Sequence, residues 1–260
     1  MSASKILIDL PARGKYCFTT AAVKKVLGSS DVAVHSTVQR LRRKGDIAMP
    51  YRGFYVIVPP EYRILGCLPA EQFIPLLMDH IGETYYVGLL SAAQYHSAAH
   101  QRPQVFQVVT AKNRAPLSCG KVRVEFIARK NVGNMPANTI NTPRGMLRLS
   151  SPETTAFDLV GYPQHAGGLD NVATILAELA EKIDFAEIAK IAELSPLPWA
   201  QRLGYLLDLV GMSEKTEPLA EYVAAKHRVS TPLVPSEQTD DAEKNMRWQL
   251  LVNAQIEPDL

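Results

Sequence analysis

His96 and His100 stand four residues apart in GLLSAAQYHSAAH, a stretch that reads as a helix. That spacing would set both imidazoles on one face, as two zinc ligands would be. The glutamate that acts as general base beside the first histidine of H-E-x-x-H is missing and no third ligand can be named, so satisfied or surface histidines are the better reading. Glu125, with Arg129 and Lys130, has the look of the strand portion of a metal-dependent nuclease site. No partner carboxylate stands at the expected place, and a half-exposed strand with ordinary charges accounts for these residues equally well. No G-x-x-x-x-G-K-[ST], G-x-G-x-x-G or G-x-S-x-G occurs, which leaves phosphate-loop, dinucleotide and hydrolase chemistry without support. Cys17, Cys67 and Cys119 are odd in number, far apart and free of any C-x-x-C pair. They suggest neither a disulfide framework nor a thiolate metal site, and read as reduced cytosolic thiols. No catalytic residue, metal ligand or cofactor is therefore assigned, and the chain is not read as an enzyme.

The chemistry the sequence does offer is recognition of a polyanion, and it is concentrated between Ser29 and Val58. Val34, Val38 and Leu41 recur at helical spacing and make one apolar stripe. The other faces of that helix carry His35, Ser36, Gln39, Arg40, Arg42, Arg43 and Lys44. Ser29, Ser30 and Asp31 offer N-cap oxygens, and Gly45 lets the chain turn out. Two β-like runs, Asp46 to Met49 and Phe54 to Val58, follow around Pro50, Tyr51, Arg52 and Gly53. Upstream, Thr19 or Thr20 can cap a short helix from Ala21 to Leu27 that stops at Gly28, and Ser4 to Ala12 reads as a supporting helix. A solvated charge run would explain Arg40 to Lys44 alone. The ordered set of short helix, tight turn, basic helix and Arg-Gly hairpin points instead to a winged helix-turn-helix, whose helix fits the DNA major groove and whose wing lies along phosphates or reaches the minor groove.

Charge follows the same division. The net charge of the 260 residues is only +2, but residues 1–60 hold ten Lys or Arg against three acids, an excess of seven positive charges, and the remaining 200 residues carry the compensating five negative ones. A basic head on an acidic body concentrates attraction for a polyanion at one end. The N-terminus lacks the apolar core of a signal peptide and no stretch is apolar enough to span a membrane, so a cytoplasmic protein without a membrane partner is expected.

Pro59 and Pro60 end the wing and are taken as the boundary between a DNA-binding domain of residues 1–60 and a body of residues 61–260. In the body, Ala70 to Ile81 and the GLLSAAQYHSAAH run read as helices. Gln104 to Val109 and Lys121 to Ile127 read as strands, Asn131 to Thr142 as a loop, and Met146 to Leu149 as a further short strand. SPETTAFDLV opens a helix capped by Ser150 or Ser151. Four amphipathic helices follow, from Leu169 to Lys182, Phe185 to Leu194, Trp199 to Val210 and Pro218 to His227. Ser230 to Glu243 reads as a loop, before a last apolar run from Trp248 to Val252. The fold class expected is α+β, an N-terminal winged helix-turn-helix domain followed by a larger mixed α/β domain with a helical C-terminal part.

The order of a winged helix with an R-G-F-Y-V wing strand, then YYVGLLSAAQYHSAAHQRPQVFQVVT, KVRVEFIA, SPETTAFDLV and a helical tail resembles the AbiEi-type antitoxins, the regulator partners in bacterial type IV toxin–antitoxin and abortive-infection systems. The resemblance runs from about Phe18 to about Val210. It implies repression of the protein's own operon through binding of inverted repeats in duplex DNA. It also implies antagonism of a cognate nucleotidyltransferase-like toxin, without the need for a stable complex. The family's DNA-reading helix falls on Val34 to Lys44 and its wing on Tyr51 to Val58. Within these, His35, Ser36 and Gln39 suit base edges, Arg40 and Arg43 suit guanine or phosphate, and Lys44 and Arg52 suit phosphate. A DNA-targeted nuclease-like enzyme and a ligand-sensing regulator unrelated to a toxin remain as alternatives.

Overall fold

The protein is described by a computed structural model covering residues 3–28, 30–98, 103–226 and 229–259. Its first six elements are Ala3–Ala12 (α1), Cys17–Thr19 (β1), Thr20–Leu27 (α2), Asp31–Arg43 (α3), Ile47–Tyr51 (β2) and Phe54–Ile57 (β3). This is the order of a winged helix. Thr19 caps α2 by accepting the Ala22 N–H at 3.2 Å, and Gly28 closes it in the left-handed region. Ser30 caps α3 in the same way, accepting from Ala33; Ser29, a second cap candidate, lies outside the described residues. The expected stripe of Val34, Val38 and Leu41 is buried, packed with Ile6, Phe18, Val23, Ile47, Tyr55 and Ile57. Strand β1 was not expected, because its three residues are too few to show alternation; it pairs antiparallel with β3, in a sheet of order β1-β3-β2.

The body contains Ile74–Ile81 (α4), Tyr85–Val87 (β4), Leu89–Tyr95 (α5), Phe106–Thr110 (β5), Leu117–Cys119 (β6), Val122–Ala128 (β7), Ala137–Thr142 (β8) and Gly145–Ser150 (β9). It continues through Pro152–Gly161 (α6), Leu169–Leu179 (α7), Ile188–Glu193 (α8), Leu197–Leu209 (α9), Glu217–Lys226 (α10), Thr231–Pro232 (β10), Glu243–Asn245 (β11) and Leu250–Val252 (β12). Strands β4 to β9 form a six-stranded sheet of order β6-β7-β5-β4-β9-β8, in which β5 and β7 run parallel from Phe106↔Val124 to Thr110↔Ala128. The architecture is α+β, as expected.

Three local expectations are corrected. Ala70 to Ile81 is not one helix: a 3-10 turn at Ala70–Gln72 precedes α4, and Pro75 sits in the first turn of α4, where its missing N–H is not needed. Asn131 to Thr142 is not all loop, since a 3-10 turn at Val132–Asn134 leads into β8, whose polar Asn-Thr-Ile-Asn-Thr sequence suits the edge of the sheet. The helix expected through GLLSAAQYHSAAH stops at Tyr95, with His96 as its C-cap and Ser97 at φ +60.

The chain divides into two compact units. One comprises Met1–Tyr86, Gln104–Val132 and Thr139–Arg148; the other comprises Val87–Pro103, Gly133–Asn138 and Leu149–Leu260. The winged helix shares its unit with most of the six-stranded sheet.

The second unit is built around α6, which packs against α5, α7, α8 and α9 and has no polar outer face. Glycine makes two of its close approaches possible. A Cβ on Gly161 would lie 2.5 Å from the Trp199 ring, and one on Gly204 would lie 2.1 Å from the Trp248 ring. Trp248 is fully buried, and its indole N–H donates to Asp208 Oδ2 at 2.7 Å, while Asp208 Oδ1 accepts from Thr216 at 2.7 Å. The ring is pinned by that hydrogen bond and cannot move aside cheaply. Gly204→Ala should therefore destabilise the protein by about 1–3 kcal/mol through overpacking, read as a lower urea midpoint. An unchanged midpoint would show that the Trp248 packing yields without strain.

Candidate nucleic-acid interface

The buried stripe of α3 dictates what faces outward. At about 100° per residue, the arc opposite Val34, Val38 and Leu41 holds Val32, Ser36, Gln39, Arg40 and Arg43. From Ser36 to Arg43 this face extends about 10 Å, or about three base-pair steps. Ser36, Arg40 and Arg43 are exposed and Gln39 is half-buried. His35, also exposed, lies on one flank of the arc, and Lys44 is the C-cap residue of the helix. None of these side chains has a partner among the described residues.

Arg52 is exposed at the tip of the hairpin, separated from α3 by β2, and Gly53 beside it takes φ +77 to make the two-residue turn. The carbonyl of Gly53 accepts the Thr20 N–H at 3.2 Å, so the wing is tied to the first residue of α2. The expected site thus resolves into a central group on one helix face (Ser36, Gln39, Arg40 and Arg43), a flanking His35, a terminal Lys44 and a separate wing arginine.

Two further residues belong to this picture and were not expected. Val32 is 77% exposed in the first turn of α3, one turn before Ser36 on the same face. An apolar side chain there costs hydration and gains nothing inside the protein. The cap oxygens at Ser30 and Asp31 already put Val32 in the first turn, but a single apolar residue there carries no signal of its own. Arg63 holds the other end of the helix: its guanidinium donates to the Lys44 carbonyl at 3.0 Å and to Asp46 Oδ1 at 2.6 Å. No local sequence signal marks Arg63, which lies nineteen residues beyond the carbonyl it caps.

More of the first unit braces the winged helix from behind. The Arg144 guanidinium stacks 3.4 Å from the Tyr16 ring centre, next to β1, and donates to Gln72 Oε1 at 2.5 Å. His80 of α4 packs against Phe54 at 5.6 Å and Tyr51 at 6.5 Å between ring centres, under the hairpin. A groove of about 500 Å³ runs beside the first half of α3, lined in part by Thr20, Asp31, Val32, His35, Ser36 and Tyr55.

The remaining chemical candidates behave as packing. His96 Nε2 lies 2.8 Å from the Ser150 carbonyl, and burial holds its pKa below the usual imidazole range; His100 lies outside the described residues. Glu125 is half-buried on β7 opposite Gln107, and Arg129 is buried at the end of that strand. Among the described residues, no group of three or more His, Cys, Asp or Glu side chains is gathered to hold a metal ion.

A family model described as a transcriptional regulator, AbiEi antitoxin, matches residues 5–58. Another, described as the AbiEi antitoxin C-terminal domain, matches residues 86–209. Among solved structures, the RV2827C protein from Mycobacterium tuberculosis shares the fold, with a TM-score of 0.68 at 18% identity over 96% of this chain and 90% of that one. An antigenic nucleotidyltransferase-like protein from Paracoccidioides brasiliensis superposes with a TM-score of only 0.36, at 13% identity over 61% of this chain and 92% of that one. A search of curated proteins gave no match.

The Arg63 clamp is open to a direct check. The pair it makes with Asp46 is partly exposed, so its contribution to global stability should be small, about 0.5–1 kcal/mol. Its local effect should be larger. Arg63→Ala should speed amide hydrogen exchange at Lys44, Gly45 and Asp46 while leaving the middle of α3 protected. Unchanged exchange at these three amides would mean that the helix end is held by other contacts.

Proposed function

As a member of the AbiEi antitoxin family, this chain is a transcriptional antitoxin, and we propose that it represses its own operon by binding inverted repeats in duplex DNA and counteracts a cognate nucleotidyltransferase-like toxin. The observation that supports the DNA-binding half is the outward face of α3. Ser36, Gln39, Arg40 and Arg43 stand there without partners among the described residues, in the segment matched by the regulator model. Gln39 and Ser36 read base edges, the arginines bond guanine N7 and O6 or phosphate, and Val32 meets a thymine methyl. Lys44 and Arg52 bond phosphates at the end of the helix and at the wing, which positions the protein without specifying sequence. His35 contacts the groove wall from the flank.

In this reading residues 1–60 are the DNA-binding part and residues 61–260 the antitoxin part, acting in the cytoplasm as one half of a type IV pair that needs no stable complex with its toxin. Among the described residues no helix is long and apolar enough to cross a membrane. The charge division supports the split of roles, since the excess of positive charge lies within residues 1–60 and the rest of the chain is net acidic.

The test uses the full chain, because the winged helix shares its compact unit with later strands. Arg40→Ala combined with Arg43→Ala removes two exposed side chains and no core packing, so the protein should fold with little change in stability. Repression of a promoter reporter should be abolished, while rescue of growth at a fixed toxin dose should persist. Retained repression would overturn the assignment of the reading face. Loss of rescue by the folded double variant would show that the two roles are not separable.

A further inference from the structure

The three cysteines lie on β1, in the connection after the wing and on β6, yet the fold gathers them in the first unit. Cys67 lies beside Cys119, with Cys17 as a further neighbour. The approach of the first two is fixed by backbone. Lys121 N–H donates to the Leu65 carbonyl at 2.8 Å. Gly120 is pressed so closely onto Gly66 that a Cβ on it would stand 2.2 Å from the Leu65 oxygen and 2.9 Å from the Gly66 Cα. Both glycines take positive φ, +72 at Gly66 and +58 at Gly120, which an L side chain would resist.

Leu65 thus meets Lys121 and Gly66 meets Gly120, and Cys67 and Cys119 are the next residues along the two segments. A disulfide accepts Cα atoms about 4.4–6.8 Å apart, and residues that follow directly on so close a backbone contact can come within that range. The two thiols are within interacting reach of each other.

We propose that Cys67 and Cys119 are a reversible dithiol–disulfide couple, an oxidation site that joins the connection after the wing to strand β6. The two sulfurs have different parts. The interaction with Cys119 and full burial push the Cys67 thiol up, whereas the interaction with Cys67 brings Cys119 down against its own burial, helped by the Met49 backbone and the charge of Arg42 on α3. Cys119, the more exposed of the two, is the attacking thiolate.

With a peroxide as oxidant, the Cys119 thiolate attacks one oxygen, the O–O bond breaks, and sulfenic acid and hydroxide form. The Cys67 sulfur then attacks the Cys119 sulfur; the S–O bond breaks as the S–S bond forms, and the oxygen leaves as water with the Cys67 proton. The proton first lost by Cys119 neutralises the hydroxide. In sum, two thiols are oxidised and one peroxide is reduced to two waters. A dithiol reductant reverses the couple by exchange. Cys17 is an internal control for accessibility: it is half-buried and so the most exposed of the three, yet loss of solvation pushes its thiol up to about 12 despite the opposing charge of Arg144.

The test is non-reducing peptide mass spectrometry on the reduced full-length protein after graded hydrogen peroxide. A Cys67–Cys119 cross-linked peptide, two hydrogens lighter than the sum of its parts, should form first and disappear with dithiothreitol, with Cys17 still open to alkylation after unfolding. Cys67→Ser should leave Cys119 as a sulfenic acid trapped by dimedone. The wild-type measurement stands on its own if that variant does not fold. The proposal is overturned if Cys17 is oxidised first, if Cys119 passes to sulfinic acid without cross-linking, or if both thiols survive peroxide that oxidises free glutathione completely.

Discussion

Burial of Val34, Val38 and Leu41 against the small sheet is the constraint from which the rest of the N-terminal structure follows. Each is nearly inaccessible to water, and each buried aliphatic side chain contributes about 1.5–3 kcal/mol. That energy fixes the rotation of α3 about its own axis. With the rotation fixed, Ser36, Gln39, Arg40 and Arg43 have no choice but to face solvent together. A helix turned by a third of a revolution would bury charge at large cost, so the core and the candidate reading face are one decision made by the same thirteen residues.

A fixed rotation still leaves the helix free to fray and the wing free to swing, and here later parts of the chain contribute. Arg63 satisfies a carbonyl at the C-terminal end of α3, where the last carbonyls of a helix lack intrahelical donors. Arg144 and His80 press on Tyr16 and on the base of the hairpin. The winged helix is therefore braced by strands and helices distant in sequence. This explains why the compact unit extends past the proline pair that ends the wing. A surface held by packing from behind loses less entropy on binding than a loosely tethered one.

Much of this was legible in the residues because local signals decided it. The apolar spacing of α3, the Thr19 and Ser30 caps, the Arg-Gly turn and the Ser151-Pro152 helix start are short-range features with a direct physical cause. The sequence was silent where tertiary pairing decided the outcome. Strand β1 exists only because β3 lies beside it, and polar β8 is a strand only because β9 offers an edge. The helix after Gly88 stops at Tyr95 although His96 to Ala98 would permit it to continue. Among the candidate site residues, the types on α3 were readable; Val32 went unremarked because a lone apolar residue in a first turn has no pattern, and Arg63 has no local signature. Spacing alone also separated the cysteines, whereas the fold brings two of them together through a contact that only glycine permits.

The claim on which the functional account turns is that the outward face of α3 occupies a major groove. Dimethyl sulfate protection on a duplex from the promoter of the protein's own operon reports this directly, because guanine N7 lies in the major groove and adenine N3 in the minor groove. Full-length protein should protect guanine N7 positions over about three base-pair steps within each half of an inverted repeat, with adenine N3 affected only beside them, where the wing reaches. Protection confined to adenine N3, or binding that leaves every guanine N7 as reactive as in free DNA, would contradict the account.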